Sequence, residues 1–248
     1  MTNADVTAWT KRFWHSVGRP EPFPRSLESS VAWALPLAVI KLPHLGLFNM
    51  SKWLARREIV DLCPGGDRRL YACLVAKSGH GLVFLDGSDP GDERRFSLAH
   101  EVVHFIRDYL EPRNKALAVL GEPGREVLDG LRPPTPEERL QAIFHNIELG
   151  TYTHMMERSP SGGVTKLRIL EAEDHADRLA LELLAPRASV IDCLEKRHII
   201  WRSPTAFKVA QEVLAQRYGL PIPVAKRYGR MLVLNRRPSR TFQEWLSR

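Results

Sequence analysis

Residues 97–106, "SLAHEVVHFI", restrict the fold of this chain more than any other segment. A helix here would have almost no polar face, because apolar side chains recur on nearly every side: Leu98, Ala99, Val102, Val103, Phe105 and Ile106. Such a helix must be buried nearly all round. We expect Ser97 to be its N-cap, with the break "SDPGDE" a few residues upstream.

Three ionisable residues, His100, Glu101 and His104, lie inside this apolar segment. The i, i+4 spacing stacks the two histidines on one helix face, close enough to hold one ion. Glu101 projects about 100° away, where its carboxylate can take a proton from a water on that ion. Neutral imidazole suits zinc. The alternative is a pair of polar residues satisfied within a helical core, but burying three ionisable groups without a compensating ion is costly.

A catalytic zinc needs a third protein ligand and an open position for water. The metzincin continuation of the motif is absent, because Arg107 and Leu110 stand where its glycine and histidine belong. The third ligand must therefore come from another segment.

The segment "LEAEDHADRLALELLAP" is a strongly periodic helix that offers five candidate ligands: Glu171, Glu173, Asp174, His175 and Asp177. Glu173 and Asp177 share the face that small residues would allow to approach the first helix, whereas His175 points nearly the opposite way. We predict that Glu173 reaches the ion. Asp177, one turn later, would accept the free N–H of a ligand histidine.

The remaining pattern predicts an α+β fold that is mostly helical. Two strands, at about 70–76 and 82–86, form a hairpin around "KSGHG" and lead into the buried helix. Short helices are expected upstream, over 26–62, and helices with breaks at "GEPG" and "RPPTP" downstream, where "TPEERLQAIF" is a clean helix start. Residues 203–248 have the pattern helix, "YGLP" turn, helix, which resembles a helix-turn-helix.

Composition limits the class of protein. A length of 248 residues suits one or two domains, and no apolar stretch is long enough to span a membrane. No secretion signal is evident, so we expect a cytoplasmic protein. The three cysteines, Cys63, Cys73 and Cys193, form no C-x-x-C pair and are expected to be reduced and buried.

The two quoted segments, "RRFSLAHEVVHFI" and "EDHADRLALELLAP", together resemble the ImmA/IrrE family of metallopeptidases. The resemblance runs from about Leu70 to Pro186 and implies a zincin-like core over residues 1–202, with a small sheet beside the HExxH helix. It implies that His100, His104 and Glu173 bind the metal. It also implies that Glu101 is the general base.

Two departures from the family pattern stand out. Leu179 occupies a position where the family usually has phenylalanine, and His175 one where a polar or acidic residue is common. The second histidine and Glu173 are 69 positions apart, which is long for this family. We expect a helical insert over 112–163 that covers or gates the cleft.

The segment "GTYTHMMER" places Tyr152 and His154 within this insert. A hydroxyl or imidazole there could stabilise the oxyanion of a tetrahedral intermediate. The alternative is an ordinary surface or packing role.

The leading functional hypothesis is a metallo-endopeptidase that uses zinc, with manganese as the alternative, and a water activated by Glu101. The resemblance implies that the substrate is a helix-turn-helix transcriptional repressor, cleaved in response to stress. An extended peptide could add as a strand to the edge of the predicted hairpin. The competing hypothesis is a DNA-binding regulator with a structural metal site, which the net charge of +7 permits but the apolar segment "IPVAKRYGRMLVL" disfavours.

Overall fold

The computed structural model describes residues 3–59, 66–145, 147, 149–158 and 167–236. The helices in this part of the chain are α1 (Asn3–Val17), α2 (Glu28–Ala34), α3 (Leu47–Ala55), α4 (Gly91–His104), α5 (Glu111–Leu128), α6 (Pro136–His145), α7 (Leu167–Leu184), α8 (Arg187–Lys196), α9 (Ala206–Gln216) and α10 (Ile222–Arg236). A π-helical segment, Phe105–Leu110, joins α4 to α5. The strands are β1 (Leu37–Leu42), β2 (Leu70–Lys77), β3 (His80–Asp86) and β4 (Tyr152–Glu157). The prediction of a mostly helical α+β fold is confirmed.

The described chain forms two compact units. The first consists of the described residues of Met1–Glu21 and Ser26–Leu183, and the second of those of Pro22–Arg25 and Leu184–Arg248. The boundary expected from the sequence, between 202 and 203, lies inside the second unit.

The four strands form one mixed sheet in the order β1-β3-β2-β4. The predicted hairpin is confirmed as β2 and β3, which pair antiparallel across a two-residue turn at Ser78 and Gly79. Both turn residues have positive φ, 53° and 82°, as a tight hairpin turn with the twist of its strands requires. Strand β1 pairs parallel to β3, and β4 pairs antiparallel to β2.

Three sequence predictions about this sheet are wrong. The hairpin offers no free edge, because β1 covers one side of it and β4 covers the other. Strand β1 replaces part of the upstream region in which only short helices were expected. The insert over 112–163 is not wholly helical, because residues 152–157 form β4. Both added strands depend on partners far away in sequence, which a local pattern does not reveal.

The two faces of the sheet carry different layers. One face packs on α3 through an apolar cluster formed by Leu45, Leu47, Met50, Leu54, Leu70, Cys73, Val75 and Phe84. Trp53 of α3 lies edge-on to Phe84, with their ring centroids 5.2 Å apart. Because side chains alternate across a strand, Leu74 and its cross-strand partner His154 face the opposite side, where α4 lies.

Helix α4 begins earlier than predicted and is buried as predicted. It starts at Gly91, so the expected N-cap, Ser97, is a buried residue in the helix interior. Pro90 precedes the first turn, and the acidic side chains of Asp92 and Glu93 within it favour a helix N-terminus at this point. Every residue from Phe96 to His104 is buried.

The close approach of the helix to the sheet depends on a glycine. A Cβ atom at Gly81 of β3 would lie 2.7 Å from the ring of Phe105, the first residue after α4. Phe105 is fully buried, so its ring has little room to move away. The small residue therefore fixes the end of α4 against the sheet.

The second unit contains the predicted helix-turn-helix pattern as α9, a short turn and α10. Gly219 in the turn has φ 66°, a conformation that favours glycine. Gly229 of α10 lies against Ala210 of α9, where an added Cβ would be 3.3 Å from the Ala210 Cβ atom, so these helices pack closely. Residues 237–248 of the predicted segment lie outside the described residues.

Two further expectations concern the chain as a whole. Cys73 and Cys193 are free and buried, as predicted, whereas Cys63 lies outside the described residues. Among the described helices, none combines the length and the apolar character that crossing a membrane requires.

Candidate metal centre

Helix α4 presents two histidines to one point. The Nε2 atoms of His100 and His104 lie 3.1 Å apart, and both residues are almost completely buried. This is the juxtaposition that their i, i+4 spacing predicts. The regular helix ends at His104, and the π-helical segment that follows is a distortion often found at functional sites.

Helix α7 adds a carboxylate to this point. One oxygen of Glu173, Oε2, lies 3.2 Å from His100 Nε2, and the other, Oε1, lies 3.7 Å from His104 Nε2. Asp177, one turn later, is 3.0 Å from the opposite nitrogen of the His100 ring, Nδ1. The structure thus brings together the three predicted ligands and the predicted hydrogen-bonding partner.

Strand β4 contributes a fourth donor, which the sequence interpretation had assigned to a different role. The Nε2 atom of His154 lies 3.0 Å from Glu173 Oε1, and its ring stacks on that of His104 with centroids 3.7 Å apart. His154 reaches the cluster because β4 pairs with β2 beside α4. No ligand spacing in the sequence connects it to the HExxH motif, so only the sheet pairing could have revealed it.

The four donor atoms have the spacing of a metal site. One atom from each of His100, His104, His154 and Glu173 lies within 4.8 Å of the others. A tetrahedral zinc with bonds of about 2.0–2.2 Å would hold its ligand atoms roughly 3.3–3.6 Å apart. The group could therefore hold a metal ion after small side-chain movements.

Each imidazole ring is oriented by a carboxylate on its other nitrogen. His100 Nδ1 is next to Asp177, His104 Nδ1 is 2.6 Å from Asp108 Oδ2, and His154 Nδ1 is 2.9 Å from Glu101 Oε2. If each Nδ1–H donates to its carboxylate, every Nε2 lone pair points into the cluster, as metal ligation requires. Without a cation, the same Nε2 atoms would either face one another as lone pairs or have to carry protons shared with Glu173.

Asp108 is a residue that the sequence interpretation missed. It follows His104 by four positions, so the helical spacing was a usable signal. The guanidinium of Arg107 also contacts it, at 2.6 Å from Oδ1 and 2.7 Å from Oδ2. Burial opposes ionisation of Asp108, but its bonds to His104 and Arg107 lower its pKa.

The cluster is strongly acidic, and this attracts positive charge. Burial favours the neutral form of His100, but bonds to Asp177 and Glu173 outweigh it and raise its pKa to about 9. Burial likewise opposes charging of His154, but Glu101 and Glu173 raise its pKa to about 10. Glu173 is itself held ionised, since the surrounding histidines lower its pKa despite burial. A divalent cation would satisfy the same carboxylates that otherwise raise the pKa of His100 and His154.

Glu101 is enclosed within the site. The residue has no exposed surface, and its Oε2 atom is hydrogen-bonded to the Nδ1 atom of His154. Its other oxygen, Oε1, is buried without a hydrogen-bond partner among the described residues. An unsatisfied buried carboxylate oxygen is a strong acceptor for a proton or a water molecule.

Tyr152, the other residue considered for oxyanion stabilisation, lies on the same face of β4 as His154. It lines a cavity of about 640 Å³ together with Arg107 and Asp108. Burial and the nearby carboxylates of Asp108 and Glu101 raise its pKa, so its phenol stays protonated and able to donate.

Two of the other candidate ligands on α7, Asp174 and His175, are not in the donor group among the described residues. Asp174 is exposed and pairs with Arg178. The side chain of Glu171 lies outside the described residues. Leu179, where the family pattern has phenylalanine, is fully buried and apolar.

Fold and site together define an α+β protein in which one buried helix, one further helix and one strand converge on a possible metal site. Comparison of the chain with models of known protein families, with curated proteins and with solved structures finds no match.

Proposed function

We propose that this protein is a zinc-dependent endopeptidase with a zincin-like core, in which His100, His104 and Glu173 hold the ion. The observation that carries the proposal is the convergence of these donors beside Glu101, the fully buried carboxylate of the same helix. A bound zinc ion supplies Lewis acidity, which lowers the pKa of a water molecule to near neutrality. Manganese is the alternative metal.

Glu101 is the residue proposed to move the proton. Its Oε1 atom is free of hydrogen-bond partners among the described residues, so it can accept a proton without first breaking a contact. The residue has no exposed surface, which keeps bulk water away from the carboxylate. After accepting the proton, the same oxygen can pass it to the leaving amine of the cleaved peptide.

The substrate proposal rests on the resemblance to the ImmA/IrrE family, whose members typically cleave helix-turn-helix repressors. The side of β4 that pairs with no other described strand supports a strand-adding mode of peptide binding, because β4 carries His154 of the donor cluster. We propose limited cleavage, at one or a few bonds, of an intracellular DNA-binding protein.

This proposal is tested by incubating metal-loaded protein with purified helix-turn-helix repressors, and with casein, and mapping the fragments by mass spectrometry. Discrete fragments from a repressor, absent with chelator and absent with Glu101→Gln, are expected. General digestion of casein, or the same fragments from the Glu101→Gln variant, would contradict it.

A second candidate function, DNA binding, is favoured by a separate observation. Residues 184–248 contain 13 Lys and Arg against four Asp and Glu, a net charge of +9, whereas residues 1–183 contain 23 against 25, a net of −2. Lys226, Arg227 and Arg230 are exposed on α10, the second helix of the helix-turn-helix pattern. In this alternative the metal site is structural and the basic unit contacts phosphate groups.

Titrating the full chain with a fluorescent DNA duplex at two salt concentrations distinguishes the candidates. DNA binding that weakens steeply between about 50 and 200 mM salt, without any hydrolysis of repressors, would favour the regulator. Metal-dependent hydrolysis with no DNA binding would favour the endopeptidase.

A further inference from the structure

We infer that His154 is a displaceable fourth metal ligand, so that the described geometry is a closed state which admits water only when β4 moves His154 away. This inference rests on the proposed function. It concerns how the site is opened rather than which reaction it performs.

His154 has the same connections as the two histidines of α4. Its Nε2 atom faces the donor group and its Nδ1 atom is held by a carboxylate, just as in His100 and His104. Its ring is largely buried, with 14% of the side chain exposed. An imidazole held in this way is oriented for ligation before any ion arrives.

Four protein ligands complete a tetrahedral zinc site. Zinc sites with four protein ligands are characteristically structural, whereas hydrolysis needs one position for water. In a tetrahedral site, water can take a position on the metal only after one of the four donors leaves. The two histidines of α4 are fixed within its buried stretch, Phe96 to His104, which leaves His154 and Glu173 as the donors that can move.

His154 is the better candidate because of the element that carries it. Strand β4 is at the edge of the sheet, pairs with β2 on one side only among the described strands, and has no fully buried residue. Its pairing with β2 is also irregular between Leu70 and Ala72. Glu173 by contrast lies on an 18-residue helix whose residues Ala176, Leu179 and Ala180 are fully buried.

Departure of His154 would have a second effect, on Glu101. The Nδ1 atom of His154 is hydrogen-bonded to Glu101 Oε2. The movement that takes His154 away from the metal would therefore also free the carboxylate of the proposed general base. A peptide that pairs with the outer edge of β4 contacts the strand whose movement is required. As a displaceable ligand carried by β4, His154 would couple occupancy of the edge strand to opening of the site.

Cobalt(II) absorption of the full-length protein tests this inference, because the d–d spectrum reports ligand number and geometry. The variants are His154→Ala, His154→Gln and the control Thr153→Ala, which alters the adjacent residue on the opposite face of β4. Wild type and Thr153→Ala should show a four-coordinate spectrum that azide does not change.

Both His154 variants should respond to azide, and their cobalt affinity should fall at least about tenfold. Added imidazole should restore the wild-type spectrum in His154→Ala. Unfolding experiments on the metal-free proteins show whether each variant folds. If His154→Ala does not fold, the spectrum and cobalt affinity of His154→Gln test the inference.

Several results would overturn the inference. If the wild-type cobalt protein already binds azide, the metal has an open position and His154 does not close it. If His154→Ala keeps the wild-type spectrum and cobalt affinity, His154 is not a ligand. Loss of hydrolysis in that variant with full metal affinity would instead make His154 an oxyanion stabiliser. Absence of hydrolysis in every protein would contradict the proposed function while leaving the spectra to decide the role of His154.

Discussion

The Nδ1 atom of His100 lies 3.0 Å from the Oδ1 atom of Asp177, which joins the buried helix α4 to α7. The contact orients the His100 ring so that its Nε2 atom faces Glu173, four residues before Asp177. Helix α7 therefore supplies both a donor and the group that positions another donor.

Replacing Asp177 with asparagine should weaken metal binding about 10–100-fold. The amide keeps the shape of the side chain but removes the charge that favours the donating Nδ1–H of His100. Competition with a chromophoric chelator measures the change. Asp174→Asn, on the same helix but exposed and paired with Arg178, is the matched control. Equal affinities for the two variants would show that Asp177 does not act on the site.

Glu101→Gln should retain metal and fold but lose turnover by about 10²–10⁴-fold, since the amide cannot accept the proton. The kinetic constant kcat for cleavage of a repressor is the quantity to measure. Glu93→Gln, an isosteric change in the first turn of α4, is the control and should leave kcat unchanged. Full activity of Glu101→Gln would place the general base elsewhere.

His104→Ala should lower metal occupancy and, with it, stability. An ion that binds only the folded state adds about 2.7 kcal/mol when its concentration is 100 times Kd. Wild-type protein should therefore show a Tm that chelator lowers, and the variant should show almost none of this difference. A chelator-sensitive Tm that survives the substitution would remove His104 from the ligand set.

Gly81→Ala should destabilise the protein by about 1–3 kcal/mol, because the added methyl group collides with the buried ring of Phe105. Urea unfolding of the metal-free protein measures this cost. Gly87→Ala is the matched control, since a Cβ there meets its nearest atoms at an ordinary 3.6 Å. If both alanine variants unfold at the same urea concentration, the tight packing of Phe105 on β3 is not present in solution.

Local patterns in the sequence predicted those parts of the fold that depend on neighbouring residues. The hairpin of β2 and β3, the buried helix around His100 and the helix start at "TPEERLQAIF" all follow from periodicity and turn chemistry. The structure shows a capping box at that helix start, between Thr135 and Glu138. The predicted break at "GEPG" is confirmed, because Gly121 has the non-helical angles φ 65° and ψ −162° and two helical stretches of α5 meet there at a kink.

Features that depend on distant pairing were not predicted. Strand β1 lies beside β3 and β4 lies beside β2, and neither pairing can be read from the local sequence, although the proline-bounded run "LAVIKL" of β1 was a usable strand signal. His154 joins the donor group only through that second pairing. The start of α4 was misplaced because a serine before an apolar run is a common N-cap, whereas here the first turn is made by "GDER".

The central claim is that His100, His104 and Glu173 form a site for one divalent metal ion. Elemental analysis of the purified full-length protein, beside variants His100→Ala and Glu173→Ala, tests it most directly. We predict one zinc or manganese ion per wild-type chain and much less than one in each variant, with Asp174→Asn unchanged. A wild-type protein that stays metal-free after exposure to a stoichiometric amount of either ion, or variants that bind as much metal as the wild type, would contradict the claim.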